Sequence, residues 1–330
     1  MSRIHIDGDL AVKTLFVEKK AMELRYERAC LLVYQEGKRV SSVPVVQLER
    51  IVVALHVVLS AGVLGLIAEH NVALVVLNSR YPDRCAMLSG AMPGVVHRRV
   101  TQYGLLDDMP LRLEWSRQLV GLKITRQYRL LARALTMRPD LRYGLTHALN
   151  QLSCASIGLK QADNIATLAS LRGVEGAASP AYFKALAGLF PDSLNFNDRN
   201  RRPPQDPVNA CLSLSYTLFH QEAVNALKTV GLDPAIGCYH ELYYSRESLA
   251  CDLLEPVRPL IDAWLWQLFK NRLLRAEDFV EKQGACFLNT AGKQRFYEAF
   301  HEKVGAVRFL LRRYARIAAN VVSEHSHEQR

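Results

Sequence analysis

None of the seven cysteines in this 330-residue chain lies in a CxxC pair. Cys30, Cys85, Cys154, Cys211, Cys238, Cys251 and Cys286 are scattered through apolar contexts. That excludes a zinc array of paired thiolates and reads as reduced, buried thiols of a cytoplasmic protein. Also missing are a GxxxxGKS/T phosphate loop, GxGxxG, HExxH and GxSxG, which argues against an engine driven by nucleotide hydrolysis. No secretory signal is expected, because His5, Asp7 and Asp9 interrupt the stretch from Ile4 to Val12. Ile51 to Ala68 is apolar or uncharged throughout and imitates a membrane span. Its period changes midway, from the β-rich IVVAL to the helix-like SAGVLGLIAEH with Ser60 placed as N-cap, so it predicts a buried strand followed by a buried helix, with no membrane partner. There is no internal repeat, low-complexity tract or heptad run.

Charge of one sign is in short supply. Against 32 Asp plus Glu stand 42 Lys plus Arg, a net charge of +10, which suits a polyanionic partner or simply a basic protein. The length favours two domains. Over residues 1–92 short β-branched runs alternate with turns: VKTLFVEK, ACLLVYQ, RVSSVPVV, ERIVVAL and VALVVLN are candidate strands. Gln35-Glu36-Gly37-Lys38 is a hairpin connection, and Ser60 to His70 supplies one helix. The breaker cluster from Ser89 to Gly94 opens a linker assigned to 93–110. From Leu111 apolar residues recur at helical spacing, as in WSRQLVGLKITRQYRLLARAL and DAWLWQLFKNRLL. The fold class is therefore α+β: a small β-rich domain, then a larger all-α domain over 111–322, with a polar, frayed tail at 323–330.

Arginines form stripes on the predicted helices. Arg126, Arg129 and Arg133 share one side, as do Arg308, Arg312 and Arg316, and either trio is a phosphate track or an ordinary solvated face. The loop NFNDRNRRPP sets Arg199, Arg201 and Arg202 beside amide side chains and two stiffening prolines. Forked guanidinium groups there match phosphate oxygens.

Two late stretches bring an oxygen and nitrogen metal site into view: LRGVEGAASPAYF, holding Glu175, and GLDPAIGCYHELYYSRESLACDLLEPVRP, holding His240, Asp252 and Glu255. Carboxylates with one imidazole suit a hard or borderline divalent cation. Each residue has an ordinary reading: Glu175 as a solvated glutamate in a Gly-flanked turn, His240 as a core histidine, Asp252 and Glu255 as a surface i, i+3 pair. The last pair stands out because it sits on an otherwise apolar face, where two carboxylates require a cation or donors. Pro256 and Pro259 then remove amide donors and break the helix at that point.

The run DRNRRPPQDPVNACLSLSYTLFHQEAVNALKTVGLDPAIGCYHE, with LRGVEG before it and LACDLLEPVRPLID after it, resembles the CRISPR spacer-acquisition integrase family, also described as the first CRISPR-associated endonuclease. VPVVQLERIVV and LSAGVLGLIAEHNVALVVLN are similar to its β-rich amino-terminal domain. The resemblance implies a Mg²⁺ or Mn²⁺ ion bound by Glu175, His240 and Glu255, with Asp252 as an outer-shell or alternative ligand. It implies duplex and branched DNA as partners, homodimers formed through the β-rich domain, and a small ferredoxin-like adaptation partner. The reaction implied is insertion of short DNA fragments into a CRISPR repeat array by 3′-hydroxyl transesterification. A free-standing metal-dependent nuclease for branched or repair DNA is the alternative. Tyr216, in SLSYTLF, matches a recurrent tyrosine of the family, and three roles are open to it: a covalent phosphotyrosine, a DNA contact, or core packing with a hydrogen-bonded hydroxyl. Arg258 either adds charge against a phosphate or pairs with the acids beside it.

Overall fold

The computed structural model describes residues 13–17, 21–70, 72–77, 86–88, 96–161, 165–200, 203–244 and 246–328. The chain divides into two compact units, Met1–Met92 and Pro93–Arg330.

The described residues of the first unit form two four-stranded sheets and one α-helix. Strands β1 (Lys13–Val17), β5 (Leu48–Ala54) and β7 (Ala73–Leu77) run parallel, and β8 (Ala86–Leu88) closes that sheet antiparallel to β7. The second sheet has the order β4-β3-β2-β6, from β2 (Met22–Glu27), β3 (Cys30–Gln35), β4 (Lys38–Pro44) and β6 (Val58–Leu59). The predicted connection at Gln35 to Lys38 is the turn between β3 and β4, and Glu36 and Gly37 both take positive φ, as such a tight hairpin requires. Helix α1 (Ala61–Glu69) begins at Ser60, whose hydroxyl accepts the Val63 amide. Ile51 to Ala68 is thus the end of β5, a turn, the short strand β6 and most of α1, and no helix among the described residues is long and apolar enough to cross a membrane. Leu15, Leu24, Leu31, Ile51, Val63 and Ile67 meet in one fully buried core.

The second unit is mainly helical: α2 (Val96–Gly104), α3 (Met109–Met137), α4 (Arg142–Lys160), α5 (Leu168–Ala187), α6 (Pro207–Thr229), α7 (Ser248–Leu254), α8 (Arg258–Lys270) and α9 (Thr290–Glu328). Side-chain caps fix several starts. Asp108 accepts the Leu111 amide, Thr167 and Ser170 form a capping box, and Asp206 accepts the Asn209 amide. Phe219, Trp264, Phe296 and Phe300 form an aromatic core between α6, α8 and α9, with the Phe219 and Phe300 rings 5.0 Å apart.

Three expectations are corrected. The stretch assigned to a linker contains α2, whose Gln102 donates to the carbonyls of Asp233 and Ile236 and accepts the Asp233 amide. Its polar sequence hid the helix because it is held by hydrogen bonds more than by an apolar face. The all-α domain carries a hairpin of β9 (Phe279–Lys282) and β10 (Ala285–Leu288), turned at Gln283 and Gly284, both at positive φ. The tail assigned to 323–330 is helical through Glu328, because buried Ala315, Ala318, Ala319 and Val322 carry the apolar face of α9 up to it. The breaker cluster from Ser89 to Gly94 lies outside the described residues.

Candidate active site

Four elements of the helical unit deliver one polar cluster. Glu175 lies on α5, not in a turn, with Gly173 and Gly176 inside the helix. The Ser179 hydroxyl donates to the Glu175 backbone carbonyl at 2.9 Å, one turn back along the helix. Glu255 sits at the joint where α7 ends and α8 begins. That joint falls where Pro256 and Pro259 deprive the helix of two amides, and it presents an almost buried carboxylate at the end of an apolar helix.

His240 comes from the loop before α7, and Asp252 determines how that loop folds. The Asp252 carboxylate is fully buried. Its Oδ2 accepts the backbone amides of Cys238 and Tyr239 at 2.7 and 3.0 Å, and its Oδ1 accepts the His240 amide at 3.0 Å. The His240 ring adds a fourth donor, Nδ1 at 2.7 Å from Oδ1. A carboxylate accepts there, so Nδ1 carries a proton, and Nε2 faces outward, 4.0 Å from Glu255 Oε1. Gly237 is required for this approach: a Cβ on it would lie 2.7 Å from Asp252 Oδ2 and 2.7 Å from the Ser248 backbone carbon. Asp252 therefore stands behind the imidazole, with both oxygens already engaged.

Lys123 of α3 joins the two glutamates. Its ammonium lies 2.5 Å from Glu175 Oε1 and 2.6 Å from Glu255 Oε2. The second oxygen of Glu255 accepts Nε of Arg258 at 2.7 Å. Burial pushes the Glu255 carboxyl up, but the Arg258 guanidinium and the Lys123 ammonium outweigh it and hold the group well below the usual carboxylate range. Burial likewise pulls Lys123 down, and the two glutamates more than restore its charge. Lys123 is not marked in the sequence, where it reads as one more cation beside Arg126. The usable signal is its position between buried Val120 and Ile124, on a side of α3 that cannot be fully solvated.

Arg258 is held from its other side as well. Its guanidinium lies over the Tyr216 ring, 4.4 Å from the centroid. The Tyr216 hydroxyl donates to Asp262 Oδ1 at 2.5 Å, and Tyr182 donates to Oδ2 at 2.6 Å. Burial raises the Asp262 carboxyl to about 6, despite both tyrosine hydrogen bonds. Burial and Asp262 also raise the Tyr216 phenol well above its ordinary value. A phenol held in this way is a poor nucleophile, and its ring is a platform for Arg258.

The arginines read as a phosphate track separate into two groups. Arg199 points inward, donating to Asn209 Oδ1 at 2.7 Å and Ser213 Oγ at 3.2 Å. Arg201 and Arg202 lie outside the described residues. Arg126 donates to the Pro256 carbonyl at 2.7 Å and to the Tyr314 hydroxyl, while Arg129 and Arg133 are exposed. Arg308 is buried against Glu222, while Arg312 and Arg316 are exposed. Each stripe thus loses its first member to internal structure, because a row repeating every three or four residues on a helix this long crosses from the core to the surface.

Oxygen donors from Glu175 and Glu255 and a nitrogen donor from His240 suit a hard or borderline divalent cation. Among the described residues no three His, Cys, Asp or Glu side chains are gathered as a metal's ligands are. The two carboxylates nevertheless converge on one cationic nitrogen, so the donor set fits a divalent ion in the place of the Lys123 ammonium. With Arg258 alongside, this arrangement can bind a phosphate and offset charge that develops on it.

The family model for CRISPR associated protein Cas1 matches residues 15–302. A CRISPR-associated endonuclease Cas1 of Thermodesulfovibrio yellowstonii is 34% identical over 307 residues, covering 91% of this chain and 94% of that protein. Among solved structures, a Cas1 protein from Thermotoga maritima is similar with a TM-score of 0.78, at 20% identity, over 94% of this chain and 96% of that one. A casposase bound to integration product also has a TM-score of 0.78, at 19% identity, over 93% of this chain and 90% of that one. At those identities the structures show a shared fold.

Proposed function

The chain belongs to the family of CRISPR associated protein Cas1, and on that premise we propose that it inserts short DNA fragments into a CRISPR repeat array by transesterification. The observation that carries this reading is the convergence of Glu175 and Glu255 on one cation, with His240 Nε2 and Arg258 at its edge. The 3′-hydroxyl oxygen of the fragment bonds to a repeat phosphorus as the P–O bond to the repeat strand breaks, and the departing oxygen takes a proton. Bond types on the two sides are the same, so no external energy source is needed. Glu175, His240 and Glu255 would hold Mg²⁺ or Mn²⁺, which when bound offsets charge on the pentacoordinate phosphate and favours the alkoxide form of the hydroxyl.

The remaining work belongs to the protein's own groups. Asp252 keeps the proton on Nδ1 of His240 and its Nε2 pair available. Tyr216 fixes the plane of Arg258, whose charge faces the phosphate. Exposed Arg129 and Arg133, with Arg201 and Arg202, contribute the sequence-independent affinity for DNA, and Arg199 orders the start of the loop carrying the latter two. Pairing through the β-rich unit and docking of the small ferredoxin-like partner complete the assembly in this reading.

Incubating the protein and its small partner with a labelled fragment and a repeat-bearing plasmid is expected to give covalently joined products, lost in excess chelator. Nicks without joined product would mean that water is the nucleophile and the protein is a nuclease. Full joining with chelator present would remove the metal from the reading.

Tyr216→Phe separates the platform from the hydroxyl. It is expected to cost about 1–3 kcal/mol of stability, because Asp262 loses one of two buried donors, while joining persists. Tyr216→Leu is expected to lower joining, because Arg258 loses its support. Complete loss of joining in Tyr216→Phe, with the protein still folded, would restore the hydroxyl as a reacting group.

A further inference from the structure

We infer that Lys123 is the internal counter-ion of this site: its ammonium holds Glu175 and Glu255 together in the metal-free protein, yields its place to the divalent cation, and then turns to the phosphate of bound DNA. The inference rests on the metal-dependent reading above. Nζ sits at hydrogen-bond distance from one oxygen of each glutamate, 2.5 and 2.6 Å, and the Lys123 side chain is only 12% exposed. A divalent ion bonded to the same two oxygens, at roughly 2.0–2.2 Å for Mg²⁺ or similar ions, uses the lone pairs that now accept the ammonium protons. Both cations cannot occupy that bridge.

The two cations of the site differ in their freedom to leave. Arg258 is fixed twice, by Nε on Glu255 and by its stacking on Tyr216. Lys123 is a compact charge on a flexible four-carbon stem, and among the described residues its ammonium donates to the two carboxylates that the metal would take. Without Lys123, Glu175 and Glu255 would approach each other as like charges in a partly buried site. With it, the pocket is preformed but already filled, and metal entry releases one positive charge beside the substrate. Lys123 is in this account a positioning residue before metal entry and a phosphate-binding residue after it.

Mn²⁺ binding followed by electron paramagnetic resonance on wild type, Lys123→Met and Glu175→Gln tests this directly. Lys123→Met is expected to bind Mn²⁺ about tenfold tighter or more, because a competing charge is gone. Its fragment joining at saturating Mn²⁺ is expected to fall nonetheless, and a lysine with only a structural role would not move affinity and turnover in opposite directions. Equal or weaker Mn²⁺ affinity in Lys123→Met would overturn the exchange, and undiminished joining would overturn the phosphate role. The underlying reading fails separately, if wild type binds no Mn²⁺ or Glu175→Gln binds it as well as wild type does. A measurement on wild type alone covers a variant that does not fold: reductive methylation of Lys123, read by mass spectrometry, is expected to be faster with Mn²⁺ than without it. Equal rates would contradict displacement.

Discussion

Glu175→Ala is expected to lower fragment joining by at least roughly 10²-fold, the order lost when one preorganised group facing the developing charge is removed, while affinity for duplex DNA stays within a few-fold. The two quantities separate because they arise in different places. Affinity comes from many phosphate contacts with dispersed cations, whereas among the described residues the Glu175 carboxylate accepts from Lys123, Ser179 and, at 3.4 Å, the Tyr239 hydroxyl. Removing Glu255 would be a less clean test, since it would leave Lys123 and Arg258 adjacent in a nearly closed site. A joining assay beside a filter-binding titration checks the result. Normal joining by Glu175→Ala would show that the carboxylate has no part in the chemistry.

The largest effect on stability is expected from Arg308→Ala. Arg308 donates from Nε and Nη2 to both oxygens of Glu222, at 2.9 and 2.8 Å, with the two side chains 7% and 3% exposed. This pair ties α9 to α6 across the core. Truncating one partner leaves the other as a buried charge, which costs about 3–5 kcal/mol and lowers the urea midpoint with little change in slope. Replacing both, as Glu222→Leu with Arg308→Met, is expected to recover most of the loss, because apolar groups of similar volume need no counter-charge. If the double variant is as unstable as the single, the pair contributes through its packing and not through its charge.

Arg308 also shows why the basic stripes could be listed from the sequence but not sorted. Spacing of three or four residues places arginines on one side of a helix, yet whether that side faces solvent depends on what packs there. Glu222 on α6 is 86 positions away, too distant for any local pattern to report. The strands with β-branched runs are legible for the opposite reason, since β5 and β7 are continuous apolar runs rich in valine and isoleucine and buried almost throughout, as strands inside a parallel sheet are. Strand β2 is not, because Met22, Glu23, Leu24 and Arg25 are good helix formers and its flanking turns set Ala21 and Arg28 at positive φ without glycine. Glu175 stands out in the sequence but reads as a turn residue, because two glycines around it outweigh the periodicity of Leu168, Leu171, Ala178 and Tyr182, all buried. His240 and Glu255 could be named from their motif. The reason His240 points as it does, an aspartate collecting three successive amides, appears only in three dimensions.

The spread of the polar cluster along the chain has a consequence for the protein while it is being made. Lys123 and Glu175 are 52 positions apart, but Lys123 and Glu255 are 132 apart. At a synthesis rate of about 5–20 residues per second, the ribosome needs roughly 7 to 26 s to travel from the first of the latter pair to the second. From residue 175 to residue 240 the half-made polypeptide carries the cation and one acid, while His240, the aspartate that orients it and the second acid are still to be made. A nascent chain of that length therefore lacks the assembled polar cluster. The cluster is complete only once α7 and the residues that follow it have been made, so it belongs to the folded helical unit and to no shorter segment of it.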